Sequence, residues 1–215
     1  MDKYEIEELL DTNAKMRARI GDKKANQLSE KVFEIQNLYG APSESMEAEL
    51  RKKVVDLIRK GANLKCDQGF SGNMLSVALV CGQDDLAHLF IDLGFDIKNS
   101  PVIYFATRGL EYRDFNTTML QYLLDNGADI NLVHENSIAK NSALHVAAAF
   151  KRPDVLEFLL KNGADVYTLN GLGNSAVYEA IHYKKLGNAN ILVDAGADSK
   201  PLKDFFANKS ENQEK

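Results

Sequence analysis

The chain has 215 residues, of which 45% are hydrophobic, and its formal net charge is −5. No run of 18 apolar residues occurs, and the acidic start Met-Asp-Lys-Tyr-Glu-Ile-Glu-Glu lacks the apolar core of a signal peptide, so we expect neither a membrane span nor a leader. A nucleic-acid partner is also not expected, because binding one needs a clustered positive face.

The first 60 residues predict three amphipathic helices, because their apolar residues follow helical spacing. The apolar positions are Tyr4, Ile6, Leu9, Leu10 and Met16 in the first, Leu28, Val32, Ile35 and Leu38 in the second, and Met46, Leu50, Val54, Leu57 and Ile58 in the third. We interpret residues 1–40 as an extended helical cap, with a separate partner-binding helix as the alternative.

From residue 61 onward a Gly-Ala-Asp-like tag recurs at intervals of 33, 33, 36 and 33 residues. The tags begin at Gly61, Gly94, Gly127, Gly163 and Gly196. A fixed period in this range is typical of stacked supersecondary units that cannot bury their apolar faces alone. Glycine at each tag fits the left-handed residue that ends a helix.

Each tag follows a segment that predicts helix, turn and helix. The first helices open at Asn73, Ser142 and Ser175, which are good N-caps because their side chains accept hydrogen bonds from the first turn. A second apolar helix then leads to the next glycine, as in residues 155–160 before Gly163.

These segments resemble the ankyrin repeat, whose Thr-Pro-Leu-His-x-Ala and Gly-Ala-Asp motifs have this period. The best copy is Ser142–Asp165, with His145 in the histidine place, and the resemblance covers about residues 40–207. It implies an all-α solenoid of stacked helix pairs with β-hairpin fingers and a concave face that binds ligands. It also implies that His145 is structural, and a stacked solenoid of another family is the alternative fold.

Three loops depart from the regular pattern. Ser100-Pro101 begins only six positions after Gly94, so a finger is missing there; Gly109 takes the usual turn position and Leu110–Phe115 are inserted after it. The finger over residues 132–141 is three residues longer than the others. Such loops can vary specificity at little energetic expense, or can vary neutrally.

Alignment with the family places the finger tips and the ends of the first helices on the concave face. The candidate protein-binding residues are Phe70, Val80, Arg108, Tyr112, Arg113, Phe150, Leu172, His182 and Tyr183. We expect a partner to be anchored mainly by Arg108, Tyr112, Arg113 and Phe150, since aromatic residues and arginine dominate binding hot spots. Asn131 resembles the finger asparagine that asparaginyl hydroxylases modify, although the favoured interpretation is a hydrogen-bonding residue at the finger base.

No motif for catalysis, for a cofactor or for a metal is found. Cys66 and Cys81 form neither a CxxC motif nor a disulfide framework, which favours a reducing compartment. Gly171-Leu-Gly173 lacks the strand and spacing of a dinucleotide motif and is expected to be a finger turn. His134 and His182 are interpreted as binding contacts rather than as bases or ligands.

We therefore predict a non-enzymatic, monomeric, cytoplasmic adaptor that binds a protein partner and uses no cofactor. The predicted parts are a cap over 1–40, a repeat domain over 41–207 that ends in a capping helix at 201–206, and a flexible tail over 208–215. One alternative is an effector that an intracellular bacterium secretes into host cytoplasm, with Ser210–Lys215 as its secretion signal. Another is a regulatory or catalytic function of the N-terminal 60 residues.

Overall fold

The computed structural model describes residues 1–39, 42–66, 72–112 and 117–211. These form two compact units, residues 1–96 and 97–215, each built from α-helices. Unit 1 contains α1 (Lys3–Ile20), α2 (Asp22–Tyr39), α3 (Glu44–Arg59), α4 (Met74–Cys81) and α5 (Asp84–Asp92). Unit 2 contains α6 (Val102–Gly109), α7 (Thr118–Asp125), α8 (Ala143–Ala149), α9 (Pro153–Lys161), α10 (Ala176–His182), α11 (Leu186–Asp194) and α12 (Lys200–Glu211).

In unit 1 the helices pack as successive layers. Helix α1 packs on α2 and α3, α2 packs on α3 and α4, and α3 also contacts α5. Buried amides join the layers: Asn13 Nδ2 of α1 donates to the Ile58 and Ala62 carbonyls at the end of α3, at 2.7 and 2.9 Å. Residues 3–39 are therefore part of the packing of this unit, and the cap interpretation stays a prediction.

The predicted apolar stripes of unit 1 are only partly buried. Tyr4 and Leu38 are each 81% exposed, and Met46 is exposed as well. The buried face of α2 consists of Ala25, Ser29, Val32, Phe33 and Gln36. Ten residues are not a whole number of helical turns, so the stripe from Leu28 to Leu38 rotates away from the core.

In unit 2 the first helices of successive pairs lie side by side, α6 against α8, α8 against α10 and α10 against α12. The second helices pack behind them, with α7 on α6, α9 on α8 and α11 on α9 and α10. The fully buried side chains include Leu120, Leu123, Leu156, Leu159 and Leu192. Helix α12 continues to Glu211, well beyond the capping helix predicted at 201–206 and into the predicted tail.

All five tag glycines adopt positive φ, from 85° at Gly94 to 106° at Gly196. At Gly163 the amide donates to the Leu160 carbonyl and the following Ala164 amide donates to the Leu159 carbonyl, and the same pair of bonds closes the other four tags. This is the Schellman ending that the sequence predicts. The Asp165 side chain then accepts the Tyr167 amide at 2.9 Å and so begins the loop.

The described loops lack the extended β-hairpins that the sequence resemblance implies; Leu169 and Ser175 form an isolated antiparallel bridge. The predicted loop lengths are confirmed: α5 ends at Asp92 and α6 begins at Val102, whereas α7 and α8 are separated by residues 126–142. Gly109 is not a turn glycine, because it is the last residue of α6 and is absent from the residues with positive φ.

Candidate functional site

Two neighbouring loops of unit 2 present large exposed aliphatic side chains. The Gly171 amide donates to the Ala139 carbonyl at 2.7 Å, which holds loop 168–174 against loop 132–141. Ile138 and Leu172 lie one residue from this bond and are 82% and 60% exposed. Together with exposed Leu169 they form what we call the finger-loop patch.

Asn170 fixes the shape of the second loop. Its buried side chain accepts the Leu172 and Asn174 amides, both at 3.0 Å, and donates to Asn141 and Glu179. Because every polar atom of this amide is bonded within the protein, the loop conformation is set before any partner arrives. The exposed aliphatic side chains are therefore held on a defined backbone.

The end of α10 carries a group of aromatic rings. The His182 ring stacks on Tyr178 with centroids 6.1 Å apart and meets Tyr183 edge-on at 5.0 Å. All three side chains are exposed. An open cleft of about 570 Å³ adjoins this group and is lined by Tyr178, Ile181, His182, Lys184, Leu186 and Phe205. We call these six residues the aromatic cleft.

Phe150 does not offer the contact surface that we predicted, since it is only 6% exposed. It stands thirteen residues before its tag glycine, as Tyr183 does, yet Tyr183 is 54% exposed. The backbone explains the difference: Phe150 is extended, with ψ at 163°, whereas Tyr183 stays near helical values with ψ at 10°. The extended backbone turns the phenyl ring into the core.

His134 is buried too, and its predicted role as a surface contact is wrong. Its ring packs against Tyr104 and Phe105 of α6, with centroids 5.0 and 4.9 Å apart. The longer finger therefore places its histidine under the loop, where it packs on the first helix of the preceding pair.

The other predicted contacts are distributed over both units. Val80 is exposed in unit 1, and Arg108 is exposed in unit 2, where its Nη1 donates to the Tyr104 hydroxyl at 3.3 Å. Phe70, Arg113 and the side chain of Tyr112 lie outside the described residues. Of the predicted residues, Leu172 belongs to the finger-loop patch, His182 lines the aromatic cleft, and Tyr183 packs against His182.

His145 is buried and forms a local network. Its Nδ1 lies 2.8 Å from the Ser142 hydroxyl, and its Nε2 lies 3.1 Å from the Asn174 carbonyl of the next loop. Burial lowers the pKa of His145, although the Asn174 carbonyl and the Glu179 carboxylate act in the opposite direction. The neutral ring thus caps α8 and braces the adjoining loop.

Asn131 also joins two successive tags. Its Oδ1 accepts the Asp165 amide at 2.9 Å, and its Nδ2 lies 3.4 Å from the Gly163 carbonyl. The residue is exposed. Its hydrogen bonds give it a structural role at the base of the finger, and its modification stays a proposal.

Within the described ranges no three His, Cys, Asp or Glu side chains are grouped closely enough to hold a metal ion. In the same part of the chain, no helix combines the length and the apolar character that crossing a membrane needs.

Comparison with protein families identifies the repeat. A family of ankyrin repeats matches residues 74–170 and 104–202, in three copies, which together cover more than half of the chain. The chain belongs to the ankyrin-repeat family. Ankyrin repeats are generally protein–protein interaction modules and are typically not enzymes. The stacked helix pairs within residues 74–202 are those of this all-α fold.

A segment of 62 residues is 44% identical to the E3 ubiquitin-protein ligase hecd-1 of Caenorhabditis elegans. The segment is 29% of this chain but only 2% of that protein. The likeness therefore concerns a short stretch, and the chain spans a very small part of the relative that it matches.

Two residues of the aromatic cleft were not predicted as contact residues from the sequence. Tyr178 occupies the histidine place of its repeat, so the motif suggests a buried group, but it is exposed. Phe205 was assigned to a capping helix, and only the packing of α12 on α10 shows that it lines a cleft. The sequence did indicate that Tyr178 is exposed, because tyrosine is larger than the histidine that the motif encloses.

Proposed function

We propose that the protein is a non-enzymatic adaptor and that it binds a protein partner through the finger-loop patch and the aromatic cleft of unit 2. Leu172, His182 and Tyr183 are its central contacts. Arg108 and Val80 stay in the proposal as exposed residues, and Tyr112, Arg113 and Phe70 stay in it on sequence grounds alone.

The finger-loop patch is the observation that carries the proposal. Soluble proteins expose single aliphatic side chains commonly, but grouped ones on a rigid loop mark interaction surfaces. Here Ile138 and Leu172 are exposed on either side of a backbone hydrogen bond between two ordered loops. Preorganised loops lose little conformational entropy on binding, which favours affinity.

The aromatic group at the end of α10 supports the same conclusion. Tyrosine is enriched among the residues that dominate binding energy, because one side chain supplies both a large apolar area and a polar tip. Tyr178 and Tyr183 flank His182 on this surface. Neither tyrosine is needed to fill the core, since both are exposed.

Site-specific photo-crosslinking in cells tests this function. A photoreactive amino acid is placed in the full chain at Leu172 or at Tyr183, and at exposed Glu157 of α9 as the matched control. We expect Leu172 and Tyr183 to give the same discrete protein adduct and Glu157 to give none. Equal adducts at all three positions, or a discrete adduct at Glu157 alone, would overturn the proposed surface.

A further inference from the structure

The aromatic cleft has one cation in its lining, and a second cation follows it in the chain. Lys184 lines the cleft and Lys185 follows it in the chain, and among the described residues neither ammonium group has an ion-pair partner. Elsewhere in unit 2 Arg152 pairs with Asp154 at 2.9 Å. The Lys184 ammonium group is therefore available to a ligand in the cleft, and Lys185 adjoins it in the chain.

The acidic side chains nearby do not neutralise this edge. Glu179 of α10 is buried, and its Oε1 accepts hydrogen bonds from the Asn170 and Asn174 amides. Asp204 of α12 is exposed but does not line the cleft. The first turn of α11 contains no acidic residue, whereas the first turn of α9 contains Asp154.

Lys184 adopts a backbone conformation that lysine disfavours. Its φ is 60°, in the left-handed region that favours glycine, and Gly82 takes the matching position of unit 1 with φ at 69°. Lys185 is the N-cap of α11, where the helix dipole disfavours a positive charge. Unfavourable local choices of this kind are expected where function needs the residue.

The floor of the cleft is apolar. Ile181, Leu186 and Phe205 line it between α10, α11 and α12, beside the Tyr178 and His182 rings. Its volume of about 570 Å³ lies within the range of pockets that enclose small ligands or side chains. An apolar floor with a cationic edge is complementary to an apolar side chain whose neighbours are carboxylates.

We propose that the aromatic cleft binds a short acidic peptide segment of the partner, anchored by one aromatic or aliphatic side chain. Tyr178 and Phe205 enclose the anchor, and Lys184 and Lys185 receive the flanking carboxylates. This inference rests on the proposed function and names the chemical class of the partner segment.

Selection from a phage-displayed library of short random peptides on the full-length protein tests the inference. The selected peptides are then measured against the wild type, the double variant Lys184→Gln/Lys185→Gln, Tyr178→Ala and the control Lys161→Gln. Lys161 is an exposed lysine of the same unit, at the far end of α9. Thermal melting and circular dichroism verify that each variant is folded.

We expect the selected peptides to combine Asp or Glu with one aromatic or large aliphatic residue. The double lysine variant should weaken their binding about tenfold, Tyr178→Ala should weaken it by at least as much, and Lys161→Gln should leave it unchanged. Added salt should weaken binding to the wild type more than to the double lysine variant.

Basic or uncharged selected peptides, or equal affinity for the double lysine variant, would overturn this inference. An absence of any selected peptide would overturn it too. None of these results contradicts the proposed adaptor function, which is tested by the adducts at Leu172 and Tyr183. Conversely, an adduct restricted to Glu157 would overturn the adaptor surface even if acidic peptides bind the cleft.

Discussion

At the scale of single residues, His145 should make stability depend on pH. Burial lowers its pKa below 6.5, so the folded protein favours the neutral ring. Between that lowered pKa and about 6.5 the unfolded chain binds more protons, and acid therefore favours unfolding. The contribution of the neutral ring is fully present above about pH 6.5 and is lost as pH falls through the lowered pKa.

Urea denaturation of the wild type and of His145→Gln over a range of pH measures this effect. The variant should be less stable at neutral pH, because its side chain cannot reproduce both ring hydrogen bonds, but its free energy of unfolding should change less on acidification. Parallel pH profiles for the two proteins would assign the acid sensitivity to other groups.

Asn131 should contribute to stability whether or not it is modified. Asn131→Ala removes the side-chain bonds to the Asp165 amide and the Gly163 carbonyl, and we expect a loss of about 1 kcal/mol in the free energy of unfolding. For modification, intact mass after incubation with an ankyrin asparaginyl hydroxylase should rise by one oxygen atom, and Asn131→Ala should show no rise. An unchanged wild-type mass would eliminate the modification.

The exposure of individual side chains was harder to predict from the sequence than the helices or the period of the array. Phe150 and Tyr183 share a repeat position, and only the backbone of the turn after each first helix decides which ring is buried. Ser29 and Gln36 are buried because their side chains bond to the Asn63 and Met74 backbone carbonyls. A pattern of apolar residues does not predict the burial of polar residues whose hydrogen bonds are formed within the protein.

At the scale of elements, the turn between paired helices contains a glycine with positive φ in one repeat and a lysine with positive φ in another. Gly82 and Lys184 each stand twelve residues before a tag glycine, and both have positive φ. A residue with a Cβ in this conformation costs roughly 1 kcal/mol. We therefore expect Lys184→Gly to stabilise the protein by up to about 1 kcal/mol and Gly82→Ala to destabilise it by a similar amount.

Chemical denaturation of the two variants, with Glu157→Gly at an exposed position inside α9 as a control, measures these changes. The control should lose about 1 kcal/mol, since glycine is unfavourable in helices. A stability loss in Lys184→Gly as large as that of the control would show that the backbone at this turn relaxes without strain.

Element identity was predictable where local signals agree. Asn73, Ser142 and Ser175 begin α4, α8 and α10 as predicted, and every tag glycine ends a helix. The β-hairpin fingers were expected only from the resemblance. In the structure side-chain amides such as Asn170 hold the loops, and these bonds substitute for strand pairing.

At the scale of the whole molecule, a core substitution should show how far cooperativity extends. Leu159 is fully buried in unit 2, so Leu159→Ala should lower the free energy of unfolding by roughly 2–5 kcal/mol. Leu172→Ala, at an exposed leucine of the same unit, should change it by no more than about 0.5 kcal/mol. Because repeats contact mainly their neighbours, the lost amide protection in Leu159→Ala should concentrate in residues 97–211.

Hydrogen exchange followed by mass spectrometry measures that distribution. Equal loss of protection in residues 1–39 and in unit 2 would mean that the chain unfolds as a single cooperative body. The sequence predicted the period of the array but not its division into residues 1–96 and 97–215. That division depends on the density of long-range contacts, which no local pattern encodes.

The hydrogen bonds at the tags should also slow the deamidation of asparagine. Asparagine before glycine deamidates when the glycine nitrogen attacks the side-chain carbonyl carbon. At Asn126-Gly127 and Asn162-Gly163 the asparagine amide is held by a carbonyl four residues earlier, at 2.8 Å in both cases, while the glycine amide donates to the helix end. Folding therefore protects both pairs. Heat-unfolded protein should deamidate at its three Asn-Gly pairs, Asn170-Gly171 included, before its other asparagines, as peptide masses before and after a thermal hold would show.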